Sequence, residues 1–151
     1  MTANPIAVAT VAGVLSCRWS IGPDGAVDRV EVAMGPPTFE RNQIPMAGKG
    51  SAIAIQIDTG HHSFTATGVG TGNPHMVLFG DSSAETATTW GPVLTVHPMW
   101  PHGTNVEFAE VVTSTHLRVT VWERGCGLTA ACGTGATAVA AAAVQLGYSP
   151  A

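Results

Sequence analysis

The sequence predicts an α+β protein, mainly antiparallel β, with a barrel-like sheet wrapped on a central Ala-rich helix. Three observations carry that prediction. Of the 151 residues, 45% are hydrophobic and only 11% charged, too apolar for a disordered chain and so poor in charge that much of the surface is expected to be covered. Gly (18) and Pro (10) interrupt the sequence so often that short strands are favoured over long helices. One stretch differs: ATAVAAAAVQLG at 136–147 is rich in the best helix former and small and apolar on every side, so a helix there is expected to be buried all round.

The elements follow in order. Residues 5–19 read as one extended, apolar segment. GPDG at 22–25 is a turn signal, and AVDRVEV at 26–32 alternates as a return strand does. MGPP at 34–37 breaks the pattern and marks a lobe boundary. Ile53, Ile55 and Ile57 alternate along a strand, with residues 62–69 as its hairpin partner across a turn near 58–60. Residues 75–79, 106–112 and 116–122 complete the strands. The final helix is expected to end with Gly147 just past its C-terminus and Pro150 as a stop. The residues just before this helix are then expected to lie inside the molecule.

Composition also excludes functions. A net charge of −4 with six scattered Lys and Arg residues argues against a nucleic-acid surface, which needs clustered cations. No apolar run approaches the roughly 18 residues of a membrane span. The apolar start lacks a basic region and does not read as a signal peptide. Three cysteines, at 17, 126 and 132, form neither a CxxC pair nor a disulfide framework, which fits a reducing cytoplasm and leaves room for a reactive thiol.

Candidate chemistry centres on AACGTGAT, where Cys132 stands immediately before the Ala-rich helix. A helix N-terminus presents unpaired N–H groups and a partial positive charge, a setting that favours a thiolate and also receives a carboxylate. Gly133 and Gly135 let an anion approach the backbone, and the Thr134 hydroxyl can add a hydrogen bond. A thiol beside a carboxylate site suits chemistry at the carbon next to that carboxylate. The alternative is that Cys132 packs as a small hydrophobe. Glu123 and Arg124 precede the same loop, either as site residues or as a solvated charge pair. Asn73 in GTGNPHMV and Asn105 in PHGTNVEF each precede a strand, where turn chemistry is the other explanation. His75 enters a strand two residues after Asn73, as a structural histidine or a proton carrier.

Other motifs fail. GVGTGN at 68–73 lacks dinucleotide-site spacing, and there is no GxxxxGK[ST], GxSxG or HExxH. His61 and His62 are adjacent and make a poor metal pair, so no metal site is expected.

The blocks MGPPTF, GNPHMVLF, TNVEFAEV and WERGCGLTAACGTGATA occur in an order that resembles the C-terminal lobe of diaminopimelate epimerase, across about residues 8–148. The resemblance implies an isomerase of bacterial and plant type that works without a cofactor. It would interconvert LL- and meso-diaminopimelate with two cysteines, serving lysine synthesis and peptidoglycan precursors. The implied fold is two similar lobes, each a sheet around a central helix, with the site between them. Carried over by position, Cys132 matches the second catalytic cysteine, and His75 and Glu123 match groups supporting acid–base chemistry. Asn73, Asn105, Glu123, Arg124, Gly133 and Thr134 match substrate-binding positions. The family's first cysteine lies in a motif like NGxRC, which this sequence does not contain. Cys17 and Cys126 read as structural cysteines that pack as small hydrophobes.

On this reading residues 1–33 are the tail of an N-terminal lobe, and 34–151 a C-terminal lobe without its closing strands. The chain is then a fragment with little or no epimerase activity alone. Its partners are a small amino-acid substrate, diaminopimelate, and either the missing N-terminal lobe or a second copy of the chain. Two other functions remain: a non-catalytic lobe that binds a ligand or partner, and a related amino- or hydroxy-acid isomerase.

Overall fold

The computed structural model describes residues 4–11 and 13–151, arranged in two compact units, Met1–Pro36 and Pro37–Ala151. The first unit is an antiparallel sheet of β1 (Ile6–Thr10), β2 (Gly13–Ile21) and β3 (Val27–Ala33), in that order. The segment read as one extended run is therefore two strands, with Thr10 paired to Gly13. Gly13 stands at φ 125°, a conformation open to glycine, which is how an apolar run reverses without a polar turn. Ala12, inside that segment, and residues 1–3 at the apolar start lie outside the described residues. The GPDG turn forms as expected, with the Gly22 N–H donating to the Ala26 carbonyl at 2.8 Å and Gly25 at φ 80°.

The second unit holds β4 (Ile55–Asp58), β5 (Ser63–Gly70), β6 (Pro74–Phe79), α1 (Ala84–Leu94), β7 (Asn105–Thr113), β8 (His116–Glu123), β9 (Gly127–Thr129) and α2 (Gly133–Gln145). Its six strands lie in chain order, and every pairing is antiparallel except β6–β7. A parallel neighbour requires a crossover, and α1 supplies it. Alternation along the strands then divides the core. Met76, Leu78, Val106 and Phe108 pack with Ala87 and Leu94 of α1. Val69, Val77 and Ala109 pack with Ala138, Val139 and Ala142 of α2.

The α+β, mainly β class is borne out, with four corrections. First, the sheet does not close into a barrel: β4 and β9 are its two edges. Second, α2 is not buried all round. Gly135, Ala138, Val139, Ala142 and Ala143 are buried, while Gly133, Ala136, Ala140 and Val144 are exposed, because one open sheet covers one side of a cylinder. Just before α2, Ala130 and Ala131 are correspondingly exposed rather than inside, and Cys132 is half-buried. Third, Ile53 lies outside β4, in a turn where Ala54 takes φ 49°. Fourth, α1 and β9 are additional elements. Ser83 caps α1, its side chain accepting from the Thr86 N–H, and Pro92 sits in the helix two residues before its end.

Candidate active site

Sheet order gathers the predicted residues at one end of one face. Because β6 and β7 are parallel and β8 runs back against them, the starts of β6 and β7 lie beside the end of β8. His75 pairs in register with Asn105, and Val106 with Trp122, which sets Glu123 beside them. His75 shares its strand face with Val77, Glu107 with Ala109, and Glu123 with Val121, by the two-residue repeat. That face carries α2, whose N-terminus sits at the same end.

Cys132 is the N-cap of α2, half-buried and extended at φ −136°. Its sulfur accepts from the Gly135 N–H at 3.4 Å and touches the Thr134 hydroxyl at 3.3 Å. The Gly133 and Thr134 N–H groups, first in the helix, have no intrahelical acceptor by the geometry of a helix start. Cys132 and Gly133 border a cavity of about 260 Å³, walled by Val119, Val121, Thr129 and Ala136 among others.

Beside this helix start lies a polar network. His75 is fully buried, with Nδ1 2.6 Å from Glu107 Oε1 and Nε2 2.9 Å from Asn73 Oδ1. Asn73 Oδ1 also faces the Thr71 hydroxyl at 3.4 Å, and that hydroxyl lies 3.5 Å from the Thr134 carbonyl. Glu107 is itself fully buried, and burial pushes its carboxyl above the ordinary value of 4.5, with the hydrogen bond to His75 opposing the shift. Glu123, half-buried, accepts from the Thr129 hydroxyl at 2.6 Å.

Two predicted residues are arranged differently. Asn105 spends its side chain on the backbone: its amide donates to the Pro74 carbonyl at 3.3 Å and its oxygen accepts from the Arg124 N–H at 2.9 Å. It therefore ties the starts of β6 and β7 to the residue after β8. The exposed Arg124 guanidinium donates to the carbonyls of His102 and Gly103, at 2.9 and 3.3 Å, and neither Asn73 nor His75 is its partner. Cys126, expected to be packed away, is exposed in the turn between β8 and β9; Cys17 is half-buried in β2. Sequence reasoning assigned no role to Glu107, Thr71 or Thr129. Glu107 alternates with the apolar Val106 and Phe108, a pattern that reads as a solvent-facing carboxylate. Among the described residues no three His, Cys, Asp or Glu side chains form a metal-ligand cluster, and no helix is long and apolar enough to cross a membrane.

The fold is shared with solved structures of amino-acid racemase and epimerase title. A probable proline racemase from Agrobacterium radiobacter K84 aligns over 99% of this chain and 47% of its own, with TM-score 0.68 and 19% identity. A hydroxyproline epimerase from Agrobacterium vitis aligns over 98% and 47%, with TM-score 0.66 and 19% identity. Sequence narrows the class. The profile of the family described as "Diaminopimelate epimerase" matches residues 67–150, and the chain belongs to that family. Proteins named diaminopimelate epimerase from Desulforudis audaxviator and Moorella thermoacetica are 48% and 46% identical over 142 and 144 residues, 93% and 94% of this chain. The chain spans about half the length of these curated relatives, 50% and 51%.

Proposed function

We propose that this chain carries one thiol of a cofactor-independent, two-cysteine epimerase site that interconverts LL- and meso-diaminopimelate, a step of lysine and peptidoglycan precursor synthesis in the cytoplasm. The observation that carries the reading is Cys132 at the N-cap of α2, on the same sheet end and face as His75 and Glu123 and with Asn73 bonded to the His75 ring. In this mechanism the substrate carboxylate sits against the Gly133 and Thr134 N–H groups. Cys132, as thiolate, takes the proton from the α-carbon, and the helix start stabilises the charge that moves onto the carboxylate. A second thiol delivers a proton to the opposite face, since a single base returns the proton to the face it left. Asn73, Asn105, Glu123 and Arg124 hold the substrate, with His75 and Glu123 supporting proton transfer. Asn105 acts through the Arg124 backbone it anchors.

The sequence holds no NGxRC motif, so the second thiol comes from an N-terminal lobe outside these residues, or from another copy of the chain. Residues 1–33 are the tail of that lobe and 34–151 the C-terminal lobe. A second reading, an isomerase for another amino or hydroxy acid, is favoured by the fold shared with proteins titled proline racemase and hydroxyproline epimerase. A panel of α-proton exchange assays in D2O separates the two. Exchange into diaminopimelate, absent in Cys132→Ser, is expected; exchange into proline or hydroxyproline alone overturns the substrate assignment.

A further inference from the structure

Among the described residues Glu107 is the one carboxylate that is fully buried together with its partner ring. Its Oε1 meets His75 Nδ1, while its Oε2, also buried, has no hydrogen-bond partner among the described residues. The His75 ring passes the contact on, through Nε2, to Asn73 Oδ1. As an amide oxygen it accepts, from the ring and from the Thr71 hydroxyl alike, so Nε2 carries the hydrogen. Glu107 also lies directly beneath the helix start. A Cβ at Gly135 would stand 2.8 Å from Glu107 Oε1 and 3.4 Å from the Cys132 Cβ. The titratable groups around Glu107 are His75 from β6, Glu123 from β8 and Cys132 from the start of α2.

We propose that Glu107 is a positioning residue: it shares one proton with His75 Nδ1 in a buried couple of zero net charge, which fixes His75 as the Nε2–H donor to Asn73. The function of the couple rests on the reading of Cys132 as the site's thiol. Counting protons gives the argument. With Nε2–H donating to Asn73, one further proton must lie between Nδ1 and Oε1, whether nearer nitrogen or oxygen. Both placements leave the couple neutral. A bare carboxylate would instead leave a charged Oε2 buried without a donor, next to the Glu123 carboxylate and below the thiol that has to ionise. Two consequences follow. The Asn73 oxygen is occupied, so its amide hydrogens are left to meet an acceptor on a ligand, such as a carboxylate. Gly135 must stay a glycine, because any side chain there meets Glu107.

The test is a proton count on the whole chain labelled with 15N-histidine, the His75 signal being assigned by its loss in His75→Gln. The couple predicts a protonated Nε2 at pH 7. A bare Nε2 at pH 7 overturns it. Glu107→Gln keeps shape but removes the acid, and alkylation of Cys132 by iodoacetamide, read peptide by peptide by mass spectrometry, gives a second readout. A neutral couple predicts a rate at pH 7 within about twofold of wild type. A bare charge under the thiol predicts roughly a tenfold rise in the variant, and that result overturns the proposal. Neither readout needs turnover, so each decides the couple whether or not the chain acts on diaminopimelate.

Discussion

Cys132 serves α2 as well as the proposed chemistry. Its sulfur caps the Gly135 N–H, so substitutions separate the two roles. Serine keeps a capping atom and loses the thiol; alanine loses both. Denaturant unfolding is expected to find Cys132→Ala less stable than Cys132→Ser by about 1 kcal/mol, the usual difference between serine and alanine at an N-cap. Glu107 makes a prediction in pH. Its folded carboxyl is held above 4.5 by burial, so between that value and its folded pKa the native state binds more protons than the unfolded chain. The stability this contributes is present in full below about pH 4.5 and is lost as pH rises. Unfolding titrations from pH 4 to 8 should therefore show wild type losing ground to Glu107→Gln as pH rises, at up to about 1.4 kcal/mol per pH unit. A difference that runs the other way would mean that the carboxylate is stabilised in its ionised form.

Among the elements, α1 depends on a glycine. A Cβ at Gly91 would meet the Trp122 ring at 2.4 Å, closer than any real contact, so α1 lies against β8 only because residue 91 has no side chain. Gly91→Ala raises helix propensity by roughly 1 kcal/mol, yet it is expected to destabilise by about 1–3 kcal/mol through overpacking. Trp122→Leu in the same chain should recover part of the loss, which thermal unfolding of the double variant would show. The elements also mark where the sequence could be read. The strands 62–69, 75–79, 106–112 and 116–122 were visible because alternation repeats every two residues. α1 was hidden by Pro92, by the β-branched run Thr88–Thr89 and by Gly91, each of which argues against a helix until the packing against Trp122 is known. The parallel β6–β7 pair was hidden with it, since that pairing follows from the crossover helix. Glu107 was missed for a related reason. In NVEFAEV, Val106 and Phe108 mark one face as core, which makes Glu107 look solvent-facing. Its face is core as well, because α2 covers it.

At the scale of the molecule, the candidate site is assembled by topology: residues 73, 75, 105, 107, 123 and 132 are spread over the sequence and meet because three strand ends and one helix start coincide. Their motifs were legible in the sequence, whereas the occupied side chain of Asn105 and the outward-turned guanidinium of Arg124 were not, because spacing does not reveal which partner a side chain has taken. The exposed face of α2 follows from one open sheet covering a helix that is apolar on all sides. On the proposed function, this chain supplies one base of a two-base site. The most direct measurement is to incubate the purified chain with meso-diaminopimelate in D2O and follow both deuterium at the α-carbon and the appearance of the LL isomer. One-sided exchange far slower than an enzyme-like rate, without inversion and abolished in Cys132→Ser, is the predicted result. Inversion at an enzyme-like rate by the chain alone, or exchange that survives Cys132→Ser, would contradict it.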